Sequence, residues 1–250
     1  SLKRFISAKP LVIYECILMD FNKFFTKIAS DYDRIIDALS FGLDKALLKE
    51  VLAESKLGAS SKKVLDVATG TGRVALAIAK KYPSYEVVGI DINSNMLANA
   101  MKKSRKVKNV KYMIGDVESL DFPEGYFDIV ISAFSLGLFN DLGRALCEMQ
   151  KVLKPKGKII LIDMLKPRDS IMSKLVNLYY SINVIPALDS RIRRDVEAYI
   201  KSFRVDKSYV IEKLKLCGFK SIKEKEISGG LAFIIIASKA SKGHAKAMLA

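Results

Sequence analysis

Short β-rich runs alternate with helical runs from Lys63 to Met164, and that alternation leaves few folds open to the chain. Strands are expected over Lys63–Ala68, Glu86–Asp91, Val110–Gly115, Phe127–Ala133 and Lys158–Met164. Helices Arg73–Tyr82, Ser94–Lys106 and Asp141–Leu153 fall between them. Such a pattern indicates βαβ units and a mostly parallel sheet. Lys154-Pro155-Lys156-Gly157 reads as a helix stop followed by a turn. After Met164 the rhythm breaks, and residues 166–205 read as a helical insertion (Leu175 to Ile185, then Val196 to Phe203). It returns with helix Asp206–Cys217, closed by Gly218, and with strands Lys220–Ile227 and Leu231–Ser238. Only Ser228-Gly229-Gly230 separates those two strands, so they form a hairpin and the sheet ends on an antiparallel strand. Ahead of the sheet, Phe21 to Ser55 reads as two amphipathic helices. Phe21, Phe24, Phe25, Ile28 and Tyr32 share one helical face there, as core packing or as a lid.

The run Val64-Leu65-Asp66-Val67-Ala68-Thr69-Gly70-Thr71-Gly72-Arg73 passes from a strand into a helix through two glycines. Glycine allows a tight turn and close approach of backbone N–H groups, and the helix N-terminus adds partial positive charge. Gly70-x-Gly72-x-x-Ala75, with Asp91 nineteen residues beyond Gly72, also fits a dinucleotide fingerprint. Three features favour S-adenosylmethionine instead. Asp66 precedes the glycine turn, where a carboxylate suits the cationic end of an amino acid. Asp116 ends the third strand, placed to accept a bond from an exocyclic adenine amine. The terminal hairpin is the third.

The rest of the composition excludes more than it proposes. The single histidine, His244, rules out a His-dependent triad and a His-built metal centre, and no metal is expected. Cys16, Cys147 and Cys217 are read as small apolar residues in helices, forming neither a disulfide nor a metal site. The apolar stretches Pro10–Met19 and Leu231–Ala237 are too short to cross a membrane, and no signal peptide is read. A cytoplasmic protein is expected. The formal charge of +15 admits nucleic acid or an anionic membrane as partner. Against nucleic acid, the fourth strand ends in Ser132-Ala133-Phe134-Ser135, which is not the Asn/Asp-Pro-Pro-aromatic motif of amino-methylating nucleic-acid enzymes.

At these residues the chain resembles the ubiquinone/menaquinone-biosynthesis C-methyltransferases. The likeness runs through Leu65–Gly72, Val88-Gly89-Ile90-Asp91, Gly115-Asp116 and Phe122-Pro123 with Phe127-Asp128. It continues in Arg144-Ala145-Leu146 through Lys154-Pro155 and in Ser228-Gly229-Gly230. At the front, Phe25-x-x-Ile28-Ala29-x-x-Tyr32-Asp33 matches too. The resemblance implies an α/β, Rossmann-like seven-stranded sheet, mostly parallel with a C-terminal antiparallel hairpin and helices on both faces. Residues 1–58 would be a helical cap, 59–240 the methyltransferase core with 166–205 over the substrate site, and 241–250 a flexible tail. It implies that Asp66, Ala68, Thr69, Gly70 and Gly72 cradle the methionine part of S-adenosylmethionine and that Asp91 holds the ribose. Ile92 would pack on the adenine, with Asp116 and Val117 binding its edge. Ser132 and Phe134 would line the floor near the sulfonium. S-adenosylhomocysteine would be the product.

The substrate half departs from the family. Its Ala-Phe-Gly-Leu-Arg-Asn stretch appears as Ala133-Phe134-Ser135-Leu136-Gly137-Leu138, so the arginine falls on Gly137 and the asparagine on Leu138. Candidates for a base acting on the acceptor are Asp163, Asp195, Tyr179, Tyr180 and Tyr199, or a water held by one of them. The expected acceptor is a quinol or related prenylated ring, methylated on carbon. The alternatives are O- or N-methylation of another small molecule or lipid, a nucleic-acid role, and a silent cofactor-binding protein. Leu175, Val176, Leu178, Tyr179, Ile182 and Ile185, interleaved with basic residues, suit a cover for the site or peripheral membrane contact. A homodimer stays open.

Overall fold

A computed structural model describes residues 20–40, 43–56, 61–165, 188–202, 205–227 and 231–240. Seven strands form one sheet: β1 Lys63–Val67, β2 Glu86–Asp91, β3 Val110–Ile114, β4 Phe127–Ala133, β5 Leu153–Met164, β6 Phe219–Ile227 and β7 Ala232–Lys239. Their order is β3-β2-β1-β4-β5-β7-β6. The first five strands are parallel, and β7 runs antiparallel between β5 and β6. The chain reverses its direction of travel across the sheet between β1 and β4. Open α/β sheets bind ligands in the crevice above the carboxyl ends at that switch point.

Eight described helices surround the sheet: α1 Phe21–Ile28, α2 Tyr32–Leu39, α3 Leu43–Glu54, α4 Arg73–Lys81, α5 Ser94–Ser104, α6 Leu142–Val152, α7 Ser190–Ser202 and α8 Lys207–Leu216. Successive strand residues point to opposite faces, so each central strand feeds two cores. Leu65, Val130 and Leu161 pack with Leu146 and Met149 of α6 and Leu214 of α8. Val64, Ile129 and Ile160 pack with Leu47 of α3 and Ile78 of α4. A third cluster joins Phe24, Ile28 and Ile35 of the front helices to Val196 and Tyr199 of α7.

Three differences from the sequence reading have physical causes. The front segment holds three helices, because the chain turns at Ala29–Asp31 as well as after Leu39. Lys154–Gly157 is part of β5 and not a turn between helix and strand. Pairing jumps from Phe127–Leu153 to Ile129–Lys158, and Lys156 takes a φ of 63°, so the extra residues form a bulge. The cysteine reading is corrected as well. Cys147 on α6 and Cys217 at the end of α8 form a disulfide across 70 residues, because these helices pack side by side on one face of the sheet. Cys16, the hairpin turn at 228–230, the insertion from 166 to 187 and the tail from 241 lie outside the described residues.

The open edge at β6 has a distinctive make-up. Lys220, Lys223, Glu224, Lys225 and Glu226 follow one another there with little apolar surface, and the register shifts between Lys220 and Lys223.

Candidate active site

β1 ends at Val67 because Ala68 turns to a φ of 51°, and Phe134 after β4 turns likewise to 58°. Both are non-glycine residues in the left-handed region, a costly conformation that tends to concentrate at functional sites. Between them opens a pocket at the switch point. Its lining includes Asp66, Ala68, Thr69, Gly70, Asp91 and Ile92, then Asp116 and Val117. Phe134 lies at its floor.

Asp66 is buried, and its Oδ2 accepts from the Thr69 hydroxyl at 2.5 Å and the Ala75 amide at 3.1 Å. Asp91 accepts from the Gly70 amide at 2.8 Å through one oxygen and the Asn93 amide at 2.9 Å through the other. It thereby ties the glycine turn to the loop after β2. Ile92 is 60% exposed although apolar, as a side chain awaiting a flat partner would be. Asp116 is exposed, and its side chain holds the Glu118 amide at 2.8 Å.

Two other expected residues sit beside the pocket. A Cβ on Gly72 would stand 2.5 Å from the Tyr112 hydroxyl, and one on Gly89 would stand 2.7 Å from the same ring. These glycines therefore make room for Tyr112 between β3 and the helices, and Gly72 acts on the ligand turn through that packing. The buried Ser132 shares a 2.6 Å hydrogen bond with the Ser135 hydroxyl and holds the floor from below.

Elsewhere the lining is largely apolar and aromatic, with Phe21, Phe25, Tyr32, Ile36, Leu138 and Phe139. Arg73 also faces the pocket but is taken up by Asp33, Asp37 and Asp44. The front helices lock onto the glycine turn and the loop after β2. The Thr71 hydroxyl donates to Asp33 at 2.6 Å, and Lys103 pairs with the same carboxylate at 2.5 Å. The Asn93 side-chain amide donates to Asn22 and Thr26 at 2.7 and 2.8 Å. Helices α1 to α3 thus cover the crevice.

The expected acid–base residues are scattered. Asp163 is fully buried at the end of β5, where it accepts the Leu136 and Met164 amides at 2.9 and 2.7 Å. It pins the short 3-10 turn Leu136–Leu138, where the family's arginine and asparagine positions fall. Tyr199 is 5% exposed and packs behind Tyr32. Asp195 is partly exposed, pairs with Lys27 at 2.8 Å and is not in the pocket lining. Tyr179 and Tyr180 lie outside the described residues. The sequence reading missed Arg73, Asn93 and Phe139 at the site. It read Tyr32 as core packing or part of a lid and gave it no role of its own, although Tyr32-Asp33 stood in the front motif. No group of acids, cysteines and histidines able to hold a metal occurs among the described residues. No helix among them is long and apolar enough to cross a membrane.

Burial pushes the Asp66 carboxyl up to about 7, against the Thr69 and Ala75 hydrogen bonds that favour its charged form. The folded value lies above the ordinary one. The group's contribution to stability is therefore complete below an ordinary carboxylate's range and is lost as pH rises through about 7. A ligand ammonium seated beside it restores the charged form. S-adenosylhomocysteine affinity is accordingly expected to fall as pH drops from 8 to 6, approaching about tenfold per unit below 7. Calorimetric titration across that range checks this. Asp66→Asn should flatten the slope, and a slope that survives unchanged assigns it elsewhere, first to Asp163, which burial also pushes up to about 7.

A sheet with its seventh strand inserted antiparallel, and a switch-point crevice holding an acid before the glycine turn and another at the end of β2, define an S-adenosylmethionine-dependent methyltransferase. The profile of the ubiE/COQ5 methyltransferase family matches residues 18–239. The chain belongs to that family. It is 33% identical over 231 residues to the ubiquinone/menaquinone biosynthesis C-methyltransferase UbiE of Rickettsia bellii, covering 87% of this chain and 92% of that one. It is 34% identical over 177 residues to the demethylmenaquinone methyltransferase of Thermotoga maritima, covering 71% and 76%. Among solved structures, a putative S-adenosyl-L-methionine-dependent methyltransferase of Methanococcus maripaludis has a TM-score of 0.65 at 19% identity, covering 88% of this chain and 96% of that one. Haemonchus contortus phosphoethanolamine N-methyltransferase 2, in complex with S-adenosyl-L-methionine, has a TM-score of 0.60 at 17% identity, covering 78% and 53%.

Proposed function

We propose that the protein transfers the methyl group of S-adenosylmethionine to a ring carbon of a quinol or related prenylated ring, releasing S-adenosylhomocysteine. The observation that carries this reading is the acceptor side of the pocket, where Phe21, Phe25, Leu138 and Phe139 form apolar walls and the one cation among the described lining residues, Arg73, is neutralised by three aspartates. A flat, uncharged ring with an apolar tail fits such walls. A phosphorylated or carboxylated acceptor would meet no free cation among the described residues lining them. The names of the Rickettsia and Thermotoga relatives agree with it.

The donor needs little activation, because its sulfonium is already electrophilic. Asp66, Thr69 and Gly70 would hold the methionine end, Asp91 the ribose diol, and Ile92, Asp116 and Val117 the adenine. Alignment of the ring carbon with the methyl group then supplies most of the rate. Asp163 and Tyr199 act from behind the walls in this reading, holding the floor turn and Tyr32. The excess positive charge would favour peripheral contact with an anionic membrane, where prenylated rings partition.

The test is transfer of an isotopically labelled methyl group to a short-chain prenylated quinol, with the product mapped by NMR. Label on a ring carbon is expected. Label on oxygen, or on a nitrogenous acceptor alone, would replace this reading with the O- or N-methyltransferase one.

A further inference from the structure

Tyr32 is the only phenol among the described residues that line the pocket, and it stands on the acceptor side. It is the first residue of α2, and its ring meets Phe25 edge-on at 6.0 Å between centroids. Tyr199 of α7 lies behind it, fixed by ring contacts to Phe24 at 5.3 Å and Phe25 at 5.7 Å. The two tyrosine hydroxyls lie close enough for each to perturb the ionisation of the other. A hydroxyl that accepts one bond is a stronger donor in the next, because the chain polarises. With Tyr199 as the donor of the pair, the proton of Tyr32 is left for a partner in the pocket that Tyr32 lines.

We propose that Tyr32 donates its hydroxyl proton in a hydrogen bond to the ring oxygen of the acceptor, and that Tyr199 positions and polarises it. This rests on the reading of the acceptor as a phenolic ring. An acceptor of this class loses its own phenolic proton to water and reacts as the phenolate. The carbon beside the oxygen forms its bond to the donor methyl group as the carbon–sulfur bond breaks, and that electron pair goes to sulfur. The ring carbon then gives up its hydrogen to water as aromaticity returns. Tyr32 neither gains nor loses a proton across these steps. It stabilises the ionised oxygen and fixes the ring so that one carbon faces the methyl group. Burial holds its own hydroxyl up at about 12, so it stays a donor throughout the working pH range. Burial likewise holds the Tyr199 hydroxyl well above its ordinary value, and the charges of Tyr32 and Asp163 add to that.

Three measurements on the full chain test this with Tyr32→Phe and Tyr199→Phe. S-adenosylhomocysteine affinity should stay within about twofold in both variants, since neither hydroxyl serves the donor. In the complex with S-adenosylhomocysteine, 4-nitrophenol should ionise at lower pH in its absorbance titration than free in solution. The shift should be lost in Tyr32→Phe and reduced in Tyr199→Phe. With a quinol acceptor, Tyr32→Phe should lower kcat/KM about 10- to 100-fold, the worth of one hydrogen bond to a charged oxygen. Tyr199→Phe should cost less, about 3- to 10-fold. A nitrophenol shift equal in wild type and Tyr32→Phe overturns the proposal. A shift that Tyr32→Phe abolishes, alongside no transfer to any quinol by wild type, upholds Tyr32 as the oxygen donor and overturns the quinol acceptor instead.

Discussion

Replacing Asp91 by alanine is expected to weaken S-adenosylhomocysteine binding about 100- to 1000-fold in calorimetry. A carboxylate at the end of β2 can take both hydroxyls of a ribose, and each hydrogen bond to a charged group contributes about 1.5–3 kcal/mol. The same side chain holds the Gly70 amide at 2.8 Å and the Asn93 amide at 2.9 Å, so its loss also loosens both loops that frame the crevice. Asp91→Asn keeps one acceptor oxygen and should fall between the two. An affinity in Asp91→Ala within about threefold of wild type, a loss worth less than a single such bond, would move the donor out of this crevice altogether.

The second large effect concerns the bridge between α6 and α8. Cys147→Ser opens a link across 70 residues, and the loop-closure account of disulfides assigns such a link about 4 kcal/mol. For a chain of this size that corresponds to a fall of about 8–16 °C in Tm. Scanning calorimetry of wild type and variant, each with and without dithiothreitol, checks it. Wild type should drop to the variant's Tm in reductant, and the variant should not respond. If all four traces coincide, the two thiols are unbridged in solution.

The strand, turn and helix that frame the proposed cofactor half of the site were legible because they are written locally. Strand, acid, glycine turn and helix follow one another within residues 63–81, Asp91 closes β2, and Asp116 follows two residues after β3. What stayed hidden depends on residues far apart in the chain. Cys147 and Cys217 meet only because two helices share a sheet face. Tyr32 and Tyr199 meet only because α2 and α7 fold over the same crevice, and nothing in either segment alone marks the pair. The bulge at Lys154–Gly157 was misread for a different reason: Pro-Lys-Gly has turn chemistry, and the sheet overrode it by pairing on both sides. Asp195 looked like a site acid because its segment was expected over the substrate, yet the packing of α1 against α7 gives it Lys27.

The charged, kinked strand at the β6 border bears on how the protein behaves in a crowd. An open border strand displays unpaired amides and carbonyls, and a second molecule can add its own strand to them. Lys223, Glu224, Lys225 and Glu226 would have to be stripped of water and set against like charges for that to happen, and the irregular pairing near Lys220 bends the ribbon away from a flat template. Stacking of copies border to border, the route by which β-rich chains seed fibrils, is therefore disfavoured at this end of the sheet.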